Sequence, residues 1–312
     1  MPPPEPTNPA PVVTAEALIA TLLPRCTFPP SGTSVTCAVS GGPDSAALLV
    51  LAVAAGCRVT VVHVDHGLRA GSADEGDVVR RLAERFGVDF SSVTVELADG
   101  PNLEARARAA RYGVLPDDVL TGHTADDQAE TVLVNLLRGA GTSGLSGMRP
   151  GQRRPLLALR RCDTEALCAA LDLEVVHDPS NADPRHLRNR VRHELLPTLA
   201  DLARRDLVPV LTRQADLARD EADLLDQMAQ AIDPTDAKAL VAAPVAIARR
   251  AIRRWLTGEH PPDAATVERV LEVARGMAIA TEVGGGRRVE RRRQRLTLSE
   301  SAIPFSEGGR SE

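Results

Sequence analysis

Between Ser34 and Leu137 the chain switches its hydrophobic period again and again, and that alternation limits the available folds more than any other feature. SVTCAV (Ser34–Val39), RVTVVHVD (Arg58–Asp65), SSVTVEL (Ser91–Leu97) and DVLTG (Asp118–Gly122) are short apolar or β-branched runs of strand character. A helix-like segment follows each of them. These are Asp44–Ala55, Ser72–Phe86 (with Val78, Val79, Leu82, Ala83 and Phe86 on one stripe), Leu103–Arg111 and Ala125–Leu137. Strand then helix, four times over, predicts an α/β fold: a Rossmann-like parallel sheet with helices on both faces. Ligands of such sheets sit at the carboxyl ends of the strands. SGGPDS (Ser40–Ser45), Asp65 and Gly122–His123 all fall there.

Beyond Gly139 the stretch GAGTSGLSGMRPGQRRP is rich in Gly and Ser and predicts a mobile loop or lid. RPLLALR (Arg154–Arg160) and a helix running to Leu173 finish the first domain, and the polar, basic DPSNADPRHLRNRVR (Asp178–Arg192) leads out of it through ELLPTL. From about residue 203 the pattern is helical, with Leu217, Leu224, Leu225 and Met228 on one apolar face. A basic amphipathic helix, VAIARRAIRRWL (Val245–Leu256), follows, and GGGRRVERRRQRLTLSE has hairpin or edge-strand character. The expected organisation is a disordered Pro-rich N-terminus over 1–20, an α/β domain over 21–200, a smaller mainly helical C-terminal domain over 201–304, and a flexible tail over 305–312.

No apolar run approaches the roughly 20 residues of a membrane span, and the start MPPPEPTNPAPVV lacks a basic, hydrophobic signal. The expectation is a cytoplasmic protein with no membrane partner. Five cysteines without a CxxC pair argue against a disulfide framework or a zinc site and for spectator thiols. A net charge of −5 advertises no polyanion partner globally, so any nucleic acid has to be held by local patches. Lys238 is the only lysine among 37 basic residues. A Walker A loop needs a lysine after its glycines, so SGGPDS is not one.

A strand, a Gly-rich turn and a helix make an anion site, because helix N-terminal N–H groups and the helix dipole favour negative charge. Gly41 and Gly42 let the backbone approach a phosphate, Ser40 and Ser45 add hydroxyls, and Pro43 opens the helix. Asp44 beside phosphates calls for a cation, so the loop suggests Mg²⁺ as well as phosphate. The plainer reading makes Asp44 and Ser45 helix caps. In HTADDQAET, His123, Asp127 and Glu130 lie at i, i+4 and i+7, one helical face able to help hold Mg²⁺ (Asp127 with Asp44) and to position a nucleotide. Spacing does not choose between Asp126 and Asp127. Asp65, at a strand end, can bond a ribose or an adenine, while His63 and His66 read as structural. Glu104, Arg108 and Arg111 share a stripe that alone reads as surface ion pairs. Arg185, Arg188, Asn189, Arg190 and Arg192 form a basic cluster suited to phosphate, or a charged turn. Arg249, Arg250, Arg253 and Arg254 line the basic helix beside Trp255, which reads as core, and Arg287, Arg288, Arg291, Arg292 and Arg293 make a second patch.

SGGPDS resembles the SGGxDS loop of the N-type ATP pyrophosphatases, which split ATP between its α and β phosphates. HVDHGLR (His63–Arg69), NLEARARAARYGVL (Asn102–Leu115), TGHTADDQAETVLVNLLRGAGTSGLSGM (Thr121–Met148) and HDPSNADPRHLRNRVRHELLP (His177–Pro197) resemble, in order and spacing, the tRNA(Ile)-lysidine synthetases, in their short form. The resemblance covers about residues 34–197. It implies an ATP- and Mg²⁺-dependent ligase that adenylates the wobble cytidine of an isoleucine tRNA with a CAU anticodon, then lets free L-lysine displace AMP. It implies catalytic roles for Asp44, Asp127, Glu130 and Arg190. ATP contacts are implied at residues 40–45, Asp65 and His123, and tRNA or lysine contacts at Arg69, Glu104, Arg108, Arg111, Tyr112, Arg138, Arg188, Asn189 and Arg192. Arg250 and Arg254 of the basic helix would add tRNA contacts. Three alternatives stay open: a tRNA thiolase of the same superfamily, a nucleotide-binding sensor without turnover, and an RNA-binding module with a vestigial loop. The oligomeric state is open too, a homodimer included.

Overall fold

The computed structural model describes residues 14–65, 72–95, 106, 110, 113–176, 178, 183–258 and 260–300. They divide into two compact units, Met1–Asp216 and Leu217–Glu312. In the first unit the elements are α1 (Ala15–Leu22), β1 (Ser34–Ala38), α2 (Pro43–Ala54), β2 (Arg58–Asp65), α3 (Ser72–Arg85), β3 (Asp89–Thr94), β4 (Leu120–Thr121), α4 (Ala125–Leu137), α5 (Thr142–Leu145), α6 (Arg161–Ala170), α7 (Leu187–Arg190), a π-helical turn (Val191–Leu195) and α8 (Leu196–Ala203). The long helix α9 (Val208–Gln230) contains the division between the units.

The sheet has four parallel strands in the order β3-β2-β1-β4. The four predicted strands are therefore present, each within a few residues of its expected place. β4 is only two residues long, although DVLTG promised five. Arg153 shares its work, since its carbonyl accepts from Thr121 N at 3.0 Å. Alternation sends Val35, Cys37, Val59 and Val61 to one face, where Leu48, Leu49, Val79, Leu82, Leu156, Leu159 and Leu167 cover them. The opposite face carries a smaller cluster of Val62, Leu115 and Val119. The helix expected at 103–111 lies largely outside the described residues.

Two expectations differ from what is found. Order begins well before residue 20, because Thr14 accepts from Ala17 N and caps α1, whose Leu22 is buried in the first core. The Gly-rich segment after α4 is fastened down instead of standing off as a lid. Gln128, 2% exposed, donates to Met148 O at 3.0 Å and accepts from Met148 N at 2.7 Å. Asn135 donates to Gly144 O at 2.8 Å. The sequence hid this, because the anchors sit on a helix and the Gly and Ser of the loop only supply the carbonyls.

In the second unit α10 (Ala237–Ala242), α11 (Val245–Leu256) and α12 (Ala264–Arg275) precede β5 (Ala280–Gly284), β6 (Arg287–Arg292) and β7 (Arg295–Glu300), an antiparallel sheet in chain order. β6 and β7 form the hairpin expected of GGGRRVERRRQRLTLSE, whereas β5 was not expected. Ile252, Leu256, Val270, Leu271, Val289 and Leu296 form the core, and Trp255 packs against it. Of the expected apolar stripe only Leu225 packs against this core, while Leu217, Leu224 and Met228 lie at 51%, 58% and 47% exposure. Among the described residues no helix is long and apolar enough to cross a membrane.

Removing the loop anchor tests this account. Gln128→Ala deletes three side-chain hydrogen bonds, two to Met148 and a longer one to Ser146 O, and is expected to weaken the local closure of residues 139–148 by about 1–3 kcal/mol. Faster amide exchange at Met148 and its neighbours, with α2 and β1 unchanged, is the readout.

Candidate active site

The site grows from the carboxyl edge of the sheet. β1 ends at Ala38 and runs into Ser40–Gly42, after which Pro43 occupies the first helical position of α2. Gly41 adopts φ +89°, and a side chain there would lie 2.6 Å from Val176, so the turn requires glycine. Ser45 knits the loop: its hydroxyl accepts from Ser40 N at 3.2 Å and donates to Gly42 O at 2.8 Å. From the neighbouring strand, Gly122 comes so close that a Cβ would sit 2.6 Å from Asp44 O. A cleft of about 420 Å³ opens here, lined by Ser40, Asp44, Ser45, His123, Asp127, Arg161 and Arg192 among others.

Thr124 and Asp127 close a capping box at the start of α4. Asp127 Oδ2 accepts from Thr124 N at 2.8 Å and Thr124 Oγ1 at 3.0 Å. Its other oxygen accepts from Arg188 Nη2 at 2.9 Å, Arg161 Nη2 at 3.3 Å and Arg192 Nη2 at 3.5 Å. Glu130, one turn on and 1% exposed, accepts from Arg192 Nε at 2.6 Å, Arg188 Nε at 2.8 Å and Arg161 Nη2 at 3.2 Å. Arg188 and Arg192 stand four residues apart across α7 and the π turn, so both reach α4 together. Burial works to raise the Asp127 carboxyl, yet the charges of Arg188 and Arg161 win and hold it below the usual carboxylate range.

Asp44 has the opposite balance. Burial pushes its carboxyl up to about 6; Thr164 opposes this, the Asp127 charge adds to it, and Arg161 opposes it. Thr164 Oγ1 donates to Asp44 Oδ1, while Arg161 Nε approaches Oδ2 at a loose 3.5 Å. As a metal ligand Asp44 fits, since Oδ2 is weakly engaged and a Mg²⁺ held with nucleotide phosphates needs only one or two carboxylates. Asp127, with donors on both oxygens, does not offer itself in the same way. Among the described residues no group of three or more His, Cys, Asp or Glu is arranged around a metal position.

The two adjacent acids that spacing left ambiguous are now separated. Asp126 turns away and accepts from Arg160 Nε at 3.0 Å and from Arg161 N at 2.8 Å, tying α6 to α4. His123 Nδ1 meets Thr121 Oγ1 at 2.8 Å on the cleft wall. His63 is buried with Nδ1 3.0 Å from Val39 O, the structural role expected of it. Asp65 ends β2 on the same sheet edge. Arg190 is not brought to the cluster; it is exposed and pairs with Glu194 at 3.3 Å. Asn189 turns inward and donates to Asp183 O at 2.9 Å. Arg138 is exposed at the end of α4. In the second unit Arg250 is held by Asp226 and by Ala222 O, while Arg253 and Arg254 are exposed. Arg69, Glu104, Arg108, Arg111 and Tyr112 lie outside the described residues. Arg161 and Thr164 were missed: RRCDTEAL shows only another arginine pair before a helix, in a chain crowded with arginines.

Two substitutions check this geometry. Glu130→Ala takes the buried acceptor from three part-buried guanidinium groups and is expected to lower unfolding stability by about 2–4 kcal/mol in denaturant titration. Gly122→Ala forces a methyl group into the α2 backbone, expected to cost about 1–3 kcal/mol and to weaken nucleotide binding, read by calorimetry.

Comparison with known proteins agrees with this layout. Residues 16–199 match the PP-loop domain family and residues 236–297 the TilS substrate binding domain family. A tRNA(Ile)-lysidine synthase of Thermobifida fusca is 41% identical over 273 residues, 79% of this chain and 84% of that protein. The proteins of the same name from Mycobacterium tuberculosis, 39% identical over 282 residues (82% and 87%), and Mycobacterium leprae, 44% over 239 residues (70% and 73%), are similarly close. Among solved structures, the U34-tRNA thiolase NcsA of Methanococcus maripaludis shares the fold, with a TM-score of 0.55 at 18% identity over 66% of this chain and 80% of that one. With its phosphate-type loop, its acid pair on α4 and these relatives along most of its length, the chain belongs to the tRNA(Ile)-lysidine synthase family.

Proposed function

We propose that this protein is an ATP-dependent ligase that forms lysidine at the wobble cytidine of an isoleucine tRNA with a CAU anticodon. The observation that supports it most is one cleft in which the Ser40–Ser45 loop, Asp44 and the arginine-bound pair Asp127 and Glu130 meet, in a chain with relatives of that name at 39–44% identity.

In the first step cytidine O2 attacks the α-phosphorus, the bond to the β-phosphate oxygen breaks, and pyrophosphate leaves. The N-terminus of α2 directs its dipole at the phosphates, and Arg192 adds positive charge from the cleft wall. Mg²⁺, when bound through Asp44, supplies neutralisation of phosphate charge. In the second step the lysine ε-amine attacks C2 and AMP leaves. Asp127, held ionised, serves as a fixed charge and not as a proton shuttle. A lysine ammonium reaching Asp127 or Glu130 has first to displace a guanidinium. The exposed Arg253 and Arg254 of α11 offer phosphate contacts to the tRNA. This assignment places the protein in the cytoplasm, where tRNA, ATP and lysine meet.

The thiolase alternative finds no support in the thiols. All five cysteines are free, and burial pushes Cys26, Cys37 and Cys168 up to about 12, the reverse of an activated thiolate.

Pyrophosphate release from ATP and Mg²⁺, with an isoleucine CAU tRNA transcript and with or without lysine, tests the proposal. Release that requires the tRNA, with radiolabelled lysine entering the RNA and loss on chelation by EDTA, is the expected result. Asp44→Asn is expected to reduce the rate by roughly 100-fold or more. Pyrophosphate without lysine incorporation would point to a different transfer, and no pyrophosphate from folded protein would overturn the enzyme assignment.

A further inference from the structure

Helix α6 reaches the phosphate-type loop in a way the sequence did not announce. Thr164 is fully buried, and its single hydroxyl proton faces two acceptors, Asp44 Oδ1 and the carbonyl of Arg161 at 2.7 Å. Arg161 spans the cleft wall: Nε approaches Asp44 Oδ2 at 3.5 Å, and Nη2 reaches Asp127 Oδ1 at 3.3 Å and Glu130 Oε1 at 3.2 Å. Its backbone is fixed in turn, because Arg161 N donates to Asp126 Oδ2 at 2.8 Å. A third contact lies beneath, where Cys168 Sγ meets Pro43 O at 3.4 Å. Three carboxylates on two different helices are thus joined through one guanidinium, and the loop acid is aimed by one hydroxyl.

We infer that Thr164 and Arg161 are positioning residues for the nucleotide step: they hold the Asp44 carboxylate in the rotamer that faces the phosphates and tie it to the acid pair on α4. The inference rests on the proposed ATP chemistry but makes its own demand. A carboxylate free to swing on α2 has to be re-oriented each time nucleotide binds, whereas one fixed by a buried donor is already in place. The bond to Thr164 is charge-assisted and comes from a buried donor, which makes it one of the stronger kinds. Arginine suits the other role because its planar fork can serve several carboxylates at once, which a lysine ammonium at the same place does less well.

The test uses the full-length protein and measures three quantities. They are the affinity for the magnesium complex of α,β-methylene-ATP by calorimetry, the kcat of tRNA-dependent pyrophosphate release, and the KM for tRNA. Thr164→Val keeps the volume and removes the hydroxyl; nucleotide affinity and kcat are each expected to fall roughly 10-fold or more, with the KM for tRNA unchanged. Thr164→Ser restores the hydroxyl and is expected to return both close to the parent values. Arg161→Gln, on a partly solvent-exposed side chain, is expected to reproduce the Thr164→Val pattern and stands in for it if that variant does not fold. Thr164→Val or Arg161→Gln with parental nucleotide affinity and kcat would overturn the inference. So would a Thr164→Ser variant as impaired as Thr164→Val, since that would reduce Thr164 to packing. If the parent itself makes no pyrophosphate, the proposed function fails, and calorimetric nucleotide affinity alone decides the role of Thr164 and Arg161.

Discussion

A carboxylate removed from water has to be surrounded by donors, or its ionised form becomes untenable. Glu130, almost wholly buried on α4, imposes that demand on the first unit, and Arg161, Arg188 and Arg192 answer it. These arginines come from two separate segments, α6 and the continuous helical run of α7 and the π turn. Their mutual repulsion is bearable only because Asp127 and Glu130 lie between them. The cluster therefore does more than decorate a cleft. It sets where α6 and α7 stand against α4, and through Arg161 it sets the distance from the acid pair to Asp44. Loop, acids and cations become one electrostatic object.

Much of this was legible in the sequence. Helix α4 begins and ends where its apolar spacing places it, because Thr124 and Asp127 form a capping box that local residues alone determine. The phosphate-type loop could be read as well, since a Gly-Gly-Pro turn between strand and helix leaves few conformations. What could not be read depends on the approach of distant segments. Arg188, Arg190 and Arg192 look alike in a string. On a helix the first and third share a face and the second points away, yet only the position of α4 decides which face is inward. Thr164 was invisible for the same reason, its partner lying 120 residues earlier. The Gly-rich loop misled because composition reports what a backbone can do, whereas Gln128 and Asn135 decide what it does.

The abundance of arginine over lysine, which looked like a compositional habit, has structural content at three positions. Arg161, Arg188 and Arg192 each touch both Asp127 and Glu130. Such bridging uses the spread of nitrogen donors on a planar group. At the exposed Arg253 and Arg254 of the second unit no such geometry is called on, and there a basic charge of either kind would serve a phosphate backbone.

Asp126 and Asp127 are neighbours in the chain with unrelated duties: one secures the backbone at the start of α6, the other faces the cleft among the arginines. Mutational maps of this region therefore carry an ambiguity. Loss of function at position 126 would come from a loosened start of α6, whereas loss at 127 would combine a missing α4 cap with a changed charge in the cleft. Suppressors should separate them. A change that stiffens the start of α6 can rescue the first kind of defect, but it restores neither the α4 cap nor the carboxylate lost with the second.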